Sequence, residues 1–370
     1  MKKFLNIFLA LILVLVCAFG MAACADDDTG NNEKGLKYKK YIGEDFYTVY
    51  GYVDDGTTTD LTIQPEYDGV AVGRIAASAF ANNGTIKSLV IPTSVTEIGA
   101  GAFAGMKVLE EITLPFVGKT ANSELYNGET EPATDKAVGL ERHFGYVFGT
   151  ELYAYGTTVN VTYGSGESDT ATYYLPSTLT KVTIAPKQAY SIPMFAFNGV
   201  QTLTEIALNN IDGIGEAAFG NCARLAKINV PGTVAKIWND AFMGCNMLTS
   251  TGLVFEDVSA SSALKEIASQ AFYGTAITEI VIPASVNYVG KQAFANSSLK
   301  KVTLPSGKVT LEQYAFYDCK YLAEVVYDTA TASDITVNGG VFQGCVRLDC
   351  TAIQSSFTVK GTNNFADTKA

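Results

Sequence analysis

Histidine is almost missing from these 370 residues: there is one, His143, and there is one tryptophan, Trp238. Imidazole general-base chemistry, a Ser-His-Asp triad or a histidine-rich zinc site would have to run through that single ring. It lies in "ERHFGYVFG", among aromatics that read as core, which favours a structural role. Positive charge is also scarce. Lys and Arg number 26 against 37 Asp and Glu, a formal net charge of −11. Such a field argues against nucleic acid or anionic headgroups as partners. Phosphate loops are lacking too: "FVGKT" (116–120) holds a Gly-Lys-Thr, but the first Walker glycine would have to be residue 113, which is Thr113. "GIGEAA" (213–218) meets a loose dinucleotide pattern with no βαβ unit around it. No cofactor, metal or catalytic residue is expected.

What is present is a large core. Hydrophobic residues make up 48% of the chain and charged ones 17%, so most of it should fold. One long apolar run opens it, "MKKFLNIFLALILVLVCAFGMAAC", with a basic start and small residues before a cysteine, the layout of an export signal over residues 1–23. Its removal takes away Lys2 and Lys3 and no acid, moving the charge by two from −11 to −13. "MAAC" (Met21–Cys24) resembles the lipobox of bacterial lipoproteins, which makes Cys24 the expected site of lipid attachment and places the protein at the outer face of a membrane. An uncleaved signal anchor is the other reading, because about twenty apolar residues can span a bilayer. Residues 24–35, polar and rich in Asn and Gly, read as a flexible tether. Asp26 and Asp28 do not belong to a calcium loop, since Gly30 fills the third ligand position.

The rest repeats. Phe80, Phe103, Phe197, Phe219, Phe242, Phe272, Phe294 and Phe316 each follow an Ala, mostly 22 or 23 residues apart, with weaker copies at Phe148 and Phe342. The unit reads L-x-x-I-x-I-P-x-x-V-x-x-I-G-x-x-A-F-x-x-C, as in "LAKINVPGTVAKIWNDAFMGC" (225–245). Ile228 and Val230 alternate with polar residues as a short half-buried strand does, and Pro231 ends it. Val95 and Ile98 mark a second extended segment, and Gly99 is expected to permit the bend after it. Ala and Phe fill the corner. No single unit can bury both segments, so the copies must stack at about 4.8 Å per turn into parallel sheets. Glu97, Glu110 and Glu111 fall at variable positions and read as a solvated face, although paired carboxylates for glycoside hydrolysis stay open among 37 acids.

This pattern resembles the BspA-type leucine-rich repeats of bacterial surface proteins, most closely in "IPTSVTEIGAGAFAGM" and "IPASVNYVGKQAFANS". The resemblance implies an α/β fold: a leucine-rich-repeat solenoid of short parallel strands with 3-10 or helical corners over residues 63–350. An N-terminal β cap is expected at 36–62 with a "DDG" turn at Asp54–Gly56, and a C-terminal cap or tail at 351–370. It also implies a non-catalytic role in adhesion at the bacterial surface, with a host or bacterial surface protein as partner; glycan capture by a tyrosine-rich inserted loop at residues 150–173 is the alternative.

The period fails across residues 116–178, where Phe116, Phe144 and Phe148 read as core and two loops (119–139 and 150–173) project. The second carries Tyr153, Tyr155, Tyr163, Tyr173 and Tyr174 among Thr, Ser and Gly, a mixture suited to partner contact. The plainer reading is a β-hairpin packed over the solenoid, because "TVNVTYGSGESDTATYYL" alternates with period two around a Gly/Ser turn. Trp238, at a variable repeat position, is a further candidate contact. Cys222, Cys245, Cys319 and Cys345 fall three residues after the repeat Phe, where Met106, Val200 or Thr275 stand elsewhere. They read as reduced core residues. Cys345 and Cys350 are the candidate disulfide.

Overall fold

The computed structural model describes residues 34–121, 136–162 and 170–369. The leader, Cys24, Tyr163 and most of the 119–139 loop lie outside them. The described chain is a leucine-rich-repeat solenoid whose turns supply two parallel sheets and a corner.

The first sheet takes the strand before each proline position. Seven strands run in parallel from Asp60–Thr62 through Ser88–Val90, Glu111–Leu114, Lys181–Ile184, Glu205–Leu208 and Lys227–Val230 to Leu253–Phe255. Three more, Glu279–Val281, Lys301–Thr303 and Glu324–Val326, form a separate sheet further along the stack. The second sheet has eight short strands, from Tyr190–Ile192 to Thr358–Val359, without interruption. The N-terminal end is antiparallel where Gly35–Lys39 meets Tyr47–Val53, which in turn pairs in parallel with Val70–Ile75 and so with Glu97–Ile98. The inward positions of the middle strands are apolar and buried, while Leu61 and Val325 are only partly covered.

The corner is the most regular part. Rings from Tyr52 to Phe365 form one column, with centroids 4.9 to 6.0 Å apart. Phe148 and Phe144 bridge the failed period by packing, tilted and edge-on, between Phe103 and Phe197. The column and the second sheet both continue past residue 351, where Phe365 stacks on Phe342 and Thr358–Val359 pairs with Ile335–Val337. Burying a Phe side chain contributes roughly 1.5–3 kcal/mol, so the column is a large share of the core energy.

Around each ring of the regular turns the backbone alternates hand. Residues two before and two after the repeat Phe have positive φ, as at Ala217 (47°) and Asn221 (56°) about Phe219, or Gln270 (54°) and Gly274 (70°) about Phe272. That alternation turns the N–H groups toward one end of the stack. Ala217, Phe219 and Asn221 donate to the carbonyls of Asn239, Ala241 and Met243 in the next turn at 2.8, 2.8 and 2.7 Å, and the same three bonds recur turn after turn. Within a turn, i to i+3 bonds such as Cys222 N–H to Phe219 C=O close the corner, and Phe144–Val147 is a 3-10 helix.

One expectation needs correction, and the candidate disulfide is not formed. Gly99 is not left-handed; it is required because a Cβ there would lie 2.3 Å from the Ala77 nitrogen of the preceding turn. Cys345 and Cys350 are free thiols, as are Cys222, Cys245 and Cys319. The repeat cysteines do more than fill space. Sγ of Cys222, Cys245, Cys319 and Cys345 each donates to the carbonyl of a Phe one turn back, at 3.0 to 3.2 Å.

Candidate interaction surface

The interrupted region forms a hairpin of Gly156–Thr162 and Thr170–Pro176, paired with Tyr173 opposite Val159. Alternation sends Val159, Val161, Tyr173 and Leu175 inward, all buried. Tyr173 is withdrawn from the surface: it stacks on His143 at 5.4 Å with the rings 6° apart, and its hydroxyl donates to the Leu140 carbonyl. Burial pushes its phenol up to about 12. His143 is a strut. Its Nδ1 accepts from Gly145 N–H at 2.9 Å, which leaves the proton on Nε2 to donate to the Asn198 carbonyl at 3.2 Å. Burial pushes the imidazole down to about 4, so it is neutral at pH 7.

The other tyrosines divide. Tyr153 is half-buried, and desolvation pushes its phenol well up. Tyr174 is half-buried and hydrogen-bonds through its backbone to Gly149. Tyr155 is 73% exposed in a left-handed turn, and Leu152, which sequence reasoning missed, is 74% exposed beside it. A lone leucine in a loop gives no signal until the loop is placed. Trp238 belongs to another element, just after the strand Lys236–Ile237, and one face of its indole is covered by Lys236 Nζ at 3.7 Å. That lysine also pairs with Glu266 at 3.0 Å.

The outer face of the first sheet carries alternating charge. Lys181 bridges to Glu111 (3.1 Å), Lys227 to Glu205 (3.3 Å) and Lys301 to Glu324 (2.8 Å), each across one turn. Exposed pairs of this kind add little stability but fix which charge stands where. At the N-terminal end a polar cleft of about 630 Å³ holds Arg74 between Glu44 (2.6 Å) and Glu97 (3.0 Å), with Tyr41, Lys119 and Tyr146 on its walls. Two buried oxygens there, Glu44 Oε2 and Thr48 Oγ1, have no partner among the described residues. The convergent carboxylates are Glu216 and Asp240 on successive turns. Burial raises both, Glu216 further through the Asp240 charge. No group of three or more metal-ligating side chains occurs among the described residues.

A stack of repeats with strands, proline-ended turns and an aromatic corner defines a leucine-rich-repeat protein. More narrowly, residues 73–130, 168–254 and 251–370 match the BspA type leucine rich repeat region in six copies, and the chain belongs to that family. No curated protein matches it. Among solved structures it is similar to a leucine-rich repeat protein from Bacteroides ovatus, 18% identical over 91% of this chain and 92% of that one, with a TM-score of 0.40. A leucine rich cell surface protein from Faecalibacterium prausnitzii is 17% identical over 88% and 83%, with a TM-score of 0.32. The pneumococcal vaccine antigen PcpA is 14% identical over 92% and 98%, with a TM-score of 0.26.

Proposed function

We propose that this chain is a bacterial surface lipoprotein, anchored through Cys24, whose solenoid binds a macromolecular partner without catalysing a reaction on it. Membership in a repeat family whose fold is a long ordered surface is the observation that carries this reading. The interruption supplies the contact point: Tyr155 and Leu152 are held exposed in the segment leading into a hairpin whose inner face is locked into the core. A surface protein of the host or of another bacterium is the partner this apolar and aromatic patch favours. A polysaccharide is the second reading, favoured by the Arg74 cleft, where two tyrosines flank a network of charged hydrogen-bonding groups.

Mass spectrometry of the mature N-terminus tests the anchor, and an unmodified Cys24 overturns it. Soluble chain lacking the leader, offered to immobilised surface proteins and to a glycan array, tests the partner class. Saturable binding to proteins that Tyr155→Ala with Leu152→Ala weakens is the expected result; binding to glycans alone, weakened by Arg74→Ala, selects the second reading.

A further inference from the structure

The first sheet is broken at one place. Between Leu253–Phe255 and Glu279–Val281, on consecutive turns, no strand pairing exists, although the same two turns pair in the second sheet and their rings, Phe272 and Phe294, stack at 5.2 Å. On this face the two turns are joined main chain to main chain only beyond the strands, where Ala284 N–H donates to the Val258 carbonyl at 2.9 Å, which leaves a gap between the strands themselves. The cause is legible in the chain: Leu225 and Ile228 are three residues apart, but Leu248 and Leu253 are five apart, two residues too many. Gly252 lets the extra backbone pass, since a Cβ there would lie 1.7 Å from the Ala226 carbonyl.

Both rims of the gap are strand edges. Glu256 N–H donates back to Val230 and Ile228 N–H donates to Gly252, so strand alternation turns the Phe255 peptide groups away from their own sheet. Ile282 N–H donates forward to Thr303, so Val281 faces the gap from the other side. Neither edge has a strand partner among the described residues. In other turns two successive N–H groups converge on one carbonyl of the preceding turn, as Lys300 and Lys301 do on Thr278. Here Thr278 and Glu279 bind Ser250 Oγ instead, at 2.8 and 2.7 Å. A side chain holds the place of the missing strand.

The space between is a cleft of about 370 Å³ with apolar walls. Leu253 and Ile280 are each 7% exposed, where their counterparts Leu89, Val182, Ile228 and Val302 are at 0–1%, so the gap reaches the core. Val254, Val258 and Val281 stand 46, 45 and 50% exposed around its mouth. The charge pattern points to the occupant. Glu111, Glu205 and Glu324 on this face are each bridged by a lysine of a neighbouring turn, whereas Glu279 makes no ion pair among the described residues, because Lys301, which stands opposite it, is bridged to Glu324 on its other side.

We propose that this cleft binds an extended peptide segment of a protein partner by strand addition, with apolar residues entering between Leu253 and Ile280 and a Lys or Arg of the peptide meeting Glu279. Alternating donors and acceptors on facing edges suit a peptide main chain, and apolar pockets at every second residue give selectivity. This deepens the reading of the chain as a protein-binding scaffold and rests on it.

The chain's own strand 226–230, Ala-Lys-Ile-Asn-Val, has the required features and serves as a labelled, end-blocked probe in fluorescence anisotropy with the intact soluble chain. Saturable binding is expected. It should weaken about tenfold or more on alternate N-methylation of the probe, on replacing its Lys by Glu, and with the exposed-site variant Glu279→Lys. The Glu probe should regain affinity for Glu279→Lys. No saturable binding, or binding indifferent to N-methylation and to the charge swap, overturns the proposal. Protein-partner binding that survives such a result leaves the hairpin reading standing; loss of both would remove the scaffold reading itself.

Discussion

At the residue scale the fold depends on a few backbone choices that the sequence shows only once the repeat is aligned. Outside the interrupted region of Phe144 and Phe148, the position two after the corner Phe is always Asn, Asp or Gly, from Asn82 to Asp367, because these residues enter the left-handed region at least cost. The position two before it is held left-handed even at Gln292 and Tyr314, which carry no such signature, so that half of the alternation was illegible. Gly274 isolates the effect, since a Cβ there meets nothing within 4 Å and φ is +70°. Gly274→Ala should cost about 1–2 kcal/mol in denaturant unfolding and Gly274→Asn distinctly less. A single histidine also gives a clean probe. With its folded value near 4, below the unfolded value, His143 binds no proton while the unfolded chain does, so its contribution lowers stability as pH falls from about 6.5 toward 4. Its NMR signal should not titrate between pH 8 and 5; a midpoint near 6.5 would contradict the buried strut.

At the element scale, the period-two pattern revealed the hairpin, but not which tyrosines it buries. One register step exchanges the two faces, and the burial of Val159, Val161 and Leu175 together with the seat of Tyr173 on His143 decides it. Tyr173→Ala should therefore cost about 3–5 kcal/mol, as truncation of a buried aromatic does, while Tyr155→Ala should leave stability within about 0.5 kcal/mol. Circular-dichroism melts of the two variants check this. The gap in the first sheet has the same standing. Its two extra residues are countable in the sequence, yet an insertion can also be looped out harmlessly, and the separated strands only become evident with the pairing. For Gly252→Ala the expected cost is about 1–3 kcal/mol, as for overpacking, because backbone and not a movable side chain stands in the way.

The molecule as a whole is a one-dimensional stack in which each turn leans on its two neighbours. Repeat, strands, corner and core were legible from the 22- and 23-residue spacing alone, because periodic burial leaves a periodic record. The departures from the period were not, because each occurs once. Phe242→Ala, in mid-column, should cost about 3–5 kcal/mol and loosen turns on both sides, whereas Phe365→Ala should fray only the last turn. Regular turns offer a partner little but solvated charge pairs, so the account places binding at the irregular ones, the hairpin and the open sheet. Hydrogen exchange of the intact soluble chain, with and without a bound protein partner, tests this most directly. Protection on binding should concentrate in residues 150–178 and 249–281, with the regular turns of 181–242 unchanged; protection confined to 181–242 would contradict it.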